Sequence, residues 1–219
     1  MRALVTGGTG RVGSAIAARL ERDGWDVAAV GRADGDLSTA AGARSVVEAA
    51  VERLGGLDLL VNGASDGFWP RKLDELREDD WDAAFGATAK GSFFVTQAAV
   101  PELRKARGVV VMIEDVAAYQ PWPSFAAHCA AKAAQAMLTK VFARALAPEI
   151  RVCGVAPGTV AVDEEQVERR AAETLLGRIG STDDVADAVV YLVAAEFVTG
   201  ATLIVDGGRL LQSVPATKP

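Results

Sequence analysis

The run Thr6-Gly7-Gly8-Thr9-Gly10-Arg11-Val12-Gly13 follows a short apolar segment, Ala3–Thr6, and opens an amphipathic stretch, Arg11–Asp23. Glycines there permit a tight turn and let the backbone come close to a bound group. A helix N-terminus adds unpaired N–H groups and the positive end of its dipole. Between a strand and a helix, this combination suits the pyrophosphate of a dinucleotide, held by Gly7, Thr9, Arg11 and Val12. The second apolar run ends Val30-Gly31-Arg32. An acidic residue there would take the ribose hydroxyls of NAD. The planar fork of Arg32 suits a 2′-phosphate instead, so NADP(H) is favoured over NAD(H). Arg11 would reach the same phosphate. Asp34 and Asp36 lie close by and would repel a phosphate if they faced it.

Other chemistries lack parts. The chain has one histidine and two cysteines, Cys129 and Cys153, so a His-based zinc cluster, a Ser-His-Asp triad and a disulfide framework are all starved. No metal site is expected.

The elements that must position these groups alternate along the chain. Strands are expected at Ala3–Thr6, Val27–Val30, Leu57–Asn62, Val109–Ile113, Arg151–Val155 and Thr202–Val205. Helical patterns cover Arg11–Asp23, Ala40–Leu54, Asp79–Ala106, Ser124–Leu146 and Thr182–Ala195. Strands rich in Val, Ile and Leu without alternation read as buried on both faces, and their alternation with helices predicts a doubly wound parallel α/β sheet. Ser181 to Asp184 reads as a capping box, and Gly55-Gly56 as a helix stop. Pro101 should kink or break the long central helix. The stretch Gly31–Leu37 joins the second strand to the next element in a few residues, where a crossover wants a dozen or more, so a helix is expected to be missing.

With 219 residues, half of them hydrophobic, the chain suits a single domain, expected over residues 1–212 with a fraying tail at 213–219. A net charge of −6 without a basic block argues against nucleic acid or anionic membrane as partner. The first residues run straight into a strand-like segment, and no 18-residue apolar stretch exists, which predicts a cytoplasmic location.

Four further segments give a specific resemblance. They are Leu60-Val61-Asn62-Gly63-Ala64-Ser65, Trp81-Asp82 through Gly91-Ser92-Phe93, Val155-Ala156-Pro157-Gly158 and Val205-Asp206-Gly207-Gly208. With the glycine-rich turn, they make the chain resemble the short-chain dehydrogenase/reductase family over nearly its whole length. The resemblance implies a single-domain Rossmann-like fold of seven parallel strands, here with the third strand and its preceding helix shortened or lost. It places Asp36-Leu37 beside the adenine, Asn62 and Ala64 against the cofactor, and the Pro157-Gly158 turn beside the nicotinamide. Within the family the chain is most similar to the pteridine reductases, through Arg11, Ala64-Ser65, Asp115 and the ungapped segment from Asp115 to Lys132 including Gln120-Pro121.

That family uses a Tyr as proton donor, a Lys four residues later on the same helical face, an Asn on the central helix and a Ser. This chain reads His128-Cys129-Ala130-Ala131-Lys132. Lys132 is retained, His128 stands at the Tyr position, Thr88 at the Asn position, and Asp115 where the pteridine reductases also carry Asp. Three readings stay open: His128 donates the proton; Asp115, a water or Tyr119 donates it; or the chain binds NADP without turnover, as a sensor or binding module. The resemblance further implies a small carbonyl- or imine-type acceptor, a substrate lid from Asp163 to Glu173, and a homodimer or homotetramer. Phe68, Trp69 and Trp122 fall in loops bordering the nicotinamide, where a flat ring could stack on them or where they pack the loops alone. Cys129 reads as a reactive thiol or a small buried residue.

Overall fold

The computed structural model describes residues 1–66, 68–160 and 164–212. The expected tail at 213–219, and Asp163 of the expected lid, lie outside the described residues.

Six parallel strands form one sheet: β1 (Arg2–Thr6), β2 (Asp26–Val30), β3 (Leu59–Asn62), β4 (Val109–Ile113), β5 (Arg151–Pro157) and β6 (Thr202–Val205). Their spatial order is β2-β1-β3-β4-β5-β6. The helices are α1 (Arg11–Arg22), α2 (Ala40–Leu54), α3 (Glu78–Phe85), α4 (Gly91–Ala106), α5 (Ala126–Leu146), α6 (Val167–Ala171) and α7 (Thr182–Ala194).

Successive side chains of a strand point to opposite faces, and the sheet is covered on both. Ala3 and Val5 of β1 join Ile16 and Leu20 of α1 and Val185, Val189 and Leu192 of α7 in one core. Leu4 between them turns the other way, toward Val47 of α2, Val95 and Leu103 of α4 and Phe142 of α5. This two-sided burial is why the strands lack an alternating pattern.

The third family strand is absent among the described residues. β2 is the sheet edge, and a single tight turn, Arg32–Asp34, leads toward α2. Thr39 opens α2 by accepting a hydrogen bond from Gly42 N–H at 3.0 Å. Gly55 closes it at φ +73°, its N–H bonded to Val51 O. The connection thus crosses back over β1 to β3 without the extra unit, as the short Gly31–Leu37 stretch implied.

The central helix differs from expectation. α4 runs through Pro101 without a break. Val95, Ala99 and Leu103 on its buried face are fully covered, and that packing holds the helix although Pro101 lacks an N–H. The irregularity lies upstream, in a wide turn at Gly86–Lys90 that closes i to i+5 between α3 and α4. No helix among the described residues is long and apolar enough to cross a membrane.

Candidate active site

The strand order reverses at β1: the chain goes from β1 to β2 on one side and returns to β3 on the other. A crevice forms at such a switch point, outside the carboxyl ends of the strands. The glycine-rich turn sits in it. Gly7 has φ +69°, and a side chain there would lie 2.6 Å from Gly63 O. Gly63 N–H donates to Thr6 O at 3.1 Å, which locks the β1 and β3 ends together. A side chain on Gly13 would collide with Gly7 O, so α1 comes up close under the turn. Gly10 caps α1 with no side-chain hydrogen bond, so the positive end of the helix dipole opens toward the turn. A crevice floor of close-packed glycine backbone at a helix N-terminus fits a pyrophosphate, and Gly7, Thr9, Arg11 and Val12 line that turn.

At the end of β2, Arg32 is exposed and pairs with Asp66 of the loop after β3 at 2.8 Å. The two acidic neighbours are engaged elsewhere. Asp34 accepts from Gly31 N–H at 2.8 Å. Asp36 accepts from Ser38 N–H at 2.9 Å and Ser38 Oγ–H at 2.6 Å, bonds that hold its carboxyl below the usual range. Leu37 packs at the border of the core formed by α2 and α4.

The family-like reactive groups gather at the ends of β4 and β5 and on α5. Asp115 caps the turn after β4, its Oδ1 accepting from Ala117 N–H at 2.8 Å. Its Oδ2 lies 3.3 Å from His128 Nε2. His128 is 4% exposed, and its Nδ1 has no partner among the described residues. One turn on, the Lys132 ammonium donates to Ile113 O at 2.8 Å and to Gln135 Oε1 at 3.1 Å. Burial pushes Lys132 down to about 8, against the opposing pull of Asp115 and Glu114. An ammonium has three donors, and two are used among the described residues. A ribose hydroxyl in the crevice would suit the third.

Pro157 ends β5, and Gly158 N–H bonds to Val205 O at 2.9 Å, fixing the turn beside this group. Asn62 is buried at the end of β3, donating to Thr96 Oγ at 2.9 Å, with Ala64 two residues on. Thr88 lies in the wide turn and shares a hydrogen bond with Ser65 Oγ at 3.2 Å.

The aromatic residues assemble over His128. Phe68 stacks on Phe125 at 4.6 Å and meets the imidazole edge-on at 4.9 Å. Trp122 lies 6.2 Å from Phe125 and carries Arg209 over its ring at 5.0 Å. Trp69 remains exposed and borders a small cavity shared with His128, Phe125 and Asp80. Cys129 is raised by burial, with its Sγ toward Trp122 O, which favours a packed thiol over a reactive one. Tyr119 donates to Glu114 at 2.9 Å.

Three site residues escaped sequence reasoning. Glu114 is 2% exposed and accepts from Thr139, Thr202 and Tyr119. A charge at the end of the apolar run Val109–Ile113 was its only signal. Gln135 carried a signal in its place one turn beyond Lys132, on the buried face that also holds His128 and Thr139. Arg209 bridges Thr159 and Glu173 from the chain's last described segment, and nothing local announced it.

The family model described as enoyl-(acyl carrier protein) reductase matches residues 10–209. The human (Homo sapiens) protein named dehydrogenase/reductase SDR family member 4 is 31% identical, over 94% of this chain and 86% of its own length. The crystal structure of 3-ketoacyl-(acyl-carrier-protein) reductase from Brucella melitensis complexed with NADH superposes with TM-score 0.90 at 27% identity, covering 95% of this chain and 98% of that one. A blue fluorescent protein from a metagenomic library, in complex with NADPH, gives TM-score 0.87 at 28% identity, covering 95% of this chain and 97% of that one.

Proposed function

This chain belongs to the short-chain dehydrogenase/reductase family, and from that premise we propose that it is an NADP(H)-dependent oxidoreductase acting on a small carbonyl- or imine-type acceptor with a pterin-like ring. The carrying observation is the His128–Asp115 pair set one helical turn from Lys132, at the same carboxyl edge of the parallel sheet as the glycine-rich turn. Nicotinamide use is supported by the two related structures, one with NADH and one with NADPH. Preference for NADP is supported by Arg32 at the end of β2, and by Asp34 and Asp36 being tied back to their own turn.

When bound, the cofactor supplies the hydride. The residues do the rest. The backbone of Gly7, Thr9 and Val12, together with Arg11, receives the pyrophosphate. Arg32 would exchange Asp66 for a 2′-phosphate. Asp36, Leu37, Asn62 and Ala64 border the adenosine side, and the Pro157-Gly158 turn borders the nicotinamide. Lys132 donates to the adjacent ribose. His128 Nε2 and Asp115 Oδ2, 3.3 Å apart, would supply the proton that the acceptor heteroatom must gain. Phe68, Phe125 and Trp122 offer a flat ring a stacking surface. A small, flat acceptor suits that surface better than a flexible chain.

A second reading, cofactor binding without turnover, is favoured by one observation. Phe68 covers the imidazole, so an acceptor must displace it. A cytoplasmic homodimer or homotetramer suits the exposed Leu203 and Ile204 on the edge strand β6, and light scattering would read that assembly.

The test is NADPH consumption, followed by absorbance, against dihydropterins, quinones and activated ketones. Consumption with pterins supports the whole reading. Consumption with another class alone removes the pterin-like acceptor. No consumption by samples that bind NADPH leaves the binding module.

A further inference from the structure

Gln135 is 0% exposed in the middle of α5, between the sheet and α4. Burying a primary amide without partners costs on the order of 1–3 kcal/mol, so such a residue is kept where its hydrogen bonds are made. Both ends of this amide are used. Its carbonyl Oε1 accepts from Lys132 Nζ at 3.1 Å, and its Nε2 donates to Ser92 Oγ at 2.8 Å. Ser92 is buried on α4. The contact ties the reactive helix to the central helix through the lysine itself.

Ser92 is one of three hydroxyls spaced four residues apart. Thr88, Ser92 and Thr96 are all buried, and each grips a different part of the crevice. Thr88 meets Ser65, Ser92 meets Gln135, and Thr96 meets Asn62. The ammonium can only donate, so the Gln135 carbonyl faces it, and the NH2 left on the other side is taken up by the Ser92 hydroxyl. That polarity is the one a cation needs.

We propose that Gln135 is a positioning residue for cofactor binding: braced by Ser92, its carbonyl holds the Lys132 ammonium charged and aimed into the crevice. The inference rests on the dehydrogenase/reductase reading for the identity of what Lys132 binds. The contact to the lysine stands on geometry alone. Charged and titratable groups face Lys132 from β4 and the turn after it, Glu114 and Asp115, and His128 lies one turn back on α5. From α4 the uncharged Ser92 reaches the lysine only through Gln135. The only other acceptor the ammonium has among the described residues is Ile113 O, at 2.8 Å. Removing the Gln135 carbonyl therefore takes one of two neutral acceptors from a cation buried at 4% exposure.

The test uses the full chain, labelled at lysine, with the Lys132 side-chain resonance followed by NMR across pH and assigned by its absence in Lys132→Met. Gln135→Leu should move the Lys132 titration toward lower pH. Gln135→Glu, which sets a carboxylate at the same place, should move it toward higher pH. Ser92→Ala should move it in the direction of the leucine variant but less far. In parallel, NADPH affinity near neutral pH should fall about five- to tenfold in Gln135→Leu, which is about 1–1.4 kcal/mol. It should be largely retained in Gln135→Glu. Opposite shifts in the two variants are not expected of a residue that only packs two helices. An unchanged Lys132 titration in the folded Leu and Glu variants would overturn the proposal. Should Gln135→Leu fail to fold, the Glu and Ser92→Ala shifts decide it. The titration needs neither cofactor nor acceptor, so a failed search for a substrate would not touch this result.

Discussion

His128 Nε2 stands 3.3 Å from Asp115 Oδ2, and the two are brought together across 13 residues of chain by the turn after β4 folding back on α5. Asp115 does not float there, because its other oxygen is held by Ala117 N–H. The carboxylate is a fixed reference, and it aligns the imidazole. A histidine so oriented, on the helical face that also carries Lys132, is built like a proton-transfer group.

Replacing His128 by Phe should abolish turnover while leaving NADPH affinity within about twofold, because the imidazole bonds to Asp115 and not to Lys132 or the glycine-rich turn. Asp115→Asn keeps the turn but changes what the imidazole faces, and a rate loss of roughly 10²–10⁴ is expected for a lost acid–base partner. Steady-state rates beside fluorescence titrations of NADPH separate the two effects. A His128→Phe enzyme with an unaltered rate removes the histidine from the mechanism.

Arg32→Asp should weaken NADPH roughly 30- to 100-fold and NADH little, since charge-assisted contacts to a phosphate are worth about 2–3 kcal/mol. The comparison of the two dissociation constants is the measurement. Equal losses for both cofactors would show that Arg32 does not read the 2′-phosphate.

Lys132 carries a pH signature for stability. Its folded value, about 8, lies below the ordinary 10.5, so the unfolded chain binds more protons between those values. Stability from this group therefore rises as pH climbs from about 8 to about 10.5, and the full penalty applies below about 8. The size is on the order of a few kcal/mol. Urea unfolding of the wild type and Lys132→Met across that range should show the rise in the former and not in the latter. Parallel profiles would contradict it.

Glu114 is a structural carboxylate. Its Oε1 takes the hydroxyls of Thr139 at 2.6 Å and Thr202 at 3.2 Å, and its Oε2 takes Tyr119 at 2.9 Å. Glu114→Leu should cost about 1–3 kcal/mol, because the buried Thr139 hydroxyl loses its short acceptor and Thr202 and Tyr119 lose theirs, and Glu114→Gln should cost less. Gly154→Ala should also destabilise, since a methyl there collides with Glu114 Oε1. Denaturation midpoints rank the three. A leucine variant as stable as the wild type would refute the assignment.

Phe68 shields the only histidine of the chain. Phe68→Ala should therefore speed diethyl pyrocarbonate modification of His128 severalfold, read as absorbance of the single modified imidazole. No acceleration would mean that the ring does not control access.

The sequence by itself determined much of this protein. Apolar runs of strand length alternating with amphipathic segments bury both strand faces in a parallel sheet covered by helices. The glycine-rich turn after the first run needs nothing beyond local backbone freedom to mark the crevice. The short Gly31–Leu37 stretch announced the missing unit by chain length alone. Local chemistry likewise set the box at the start of α7, where Ser181 Oγ accepts from Asp184 N–H and the Asp184 carboxylate accepts from Ser181 N–H. The spacing of His128 and Lys132 puts both on one helical face whatever the tertiary contacts.

Only the tertiary structure decided the rest, because these features depend on partners far apart in the chain. Whether Pro101 breaks the central helix was settled by Leu103 and its neighbours packing against α2. Whether Asp34 and Asp36 face a phosphate was settled by backbone N–H groups that claim them first. Glu114 gathers hydroxyls from α5, from β6 and from its own loop, up to 88 residues away. Gln135 acquires its meaning from Ser92, 43 residues earlier. A pattern along one segment fixes which face is apolar; it cannot say which polar atom of another segment arrives there, because that depends on how whole helices dock on the sheet.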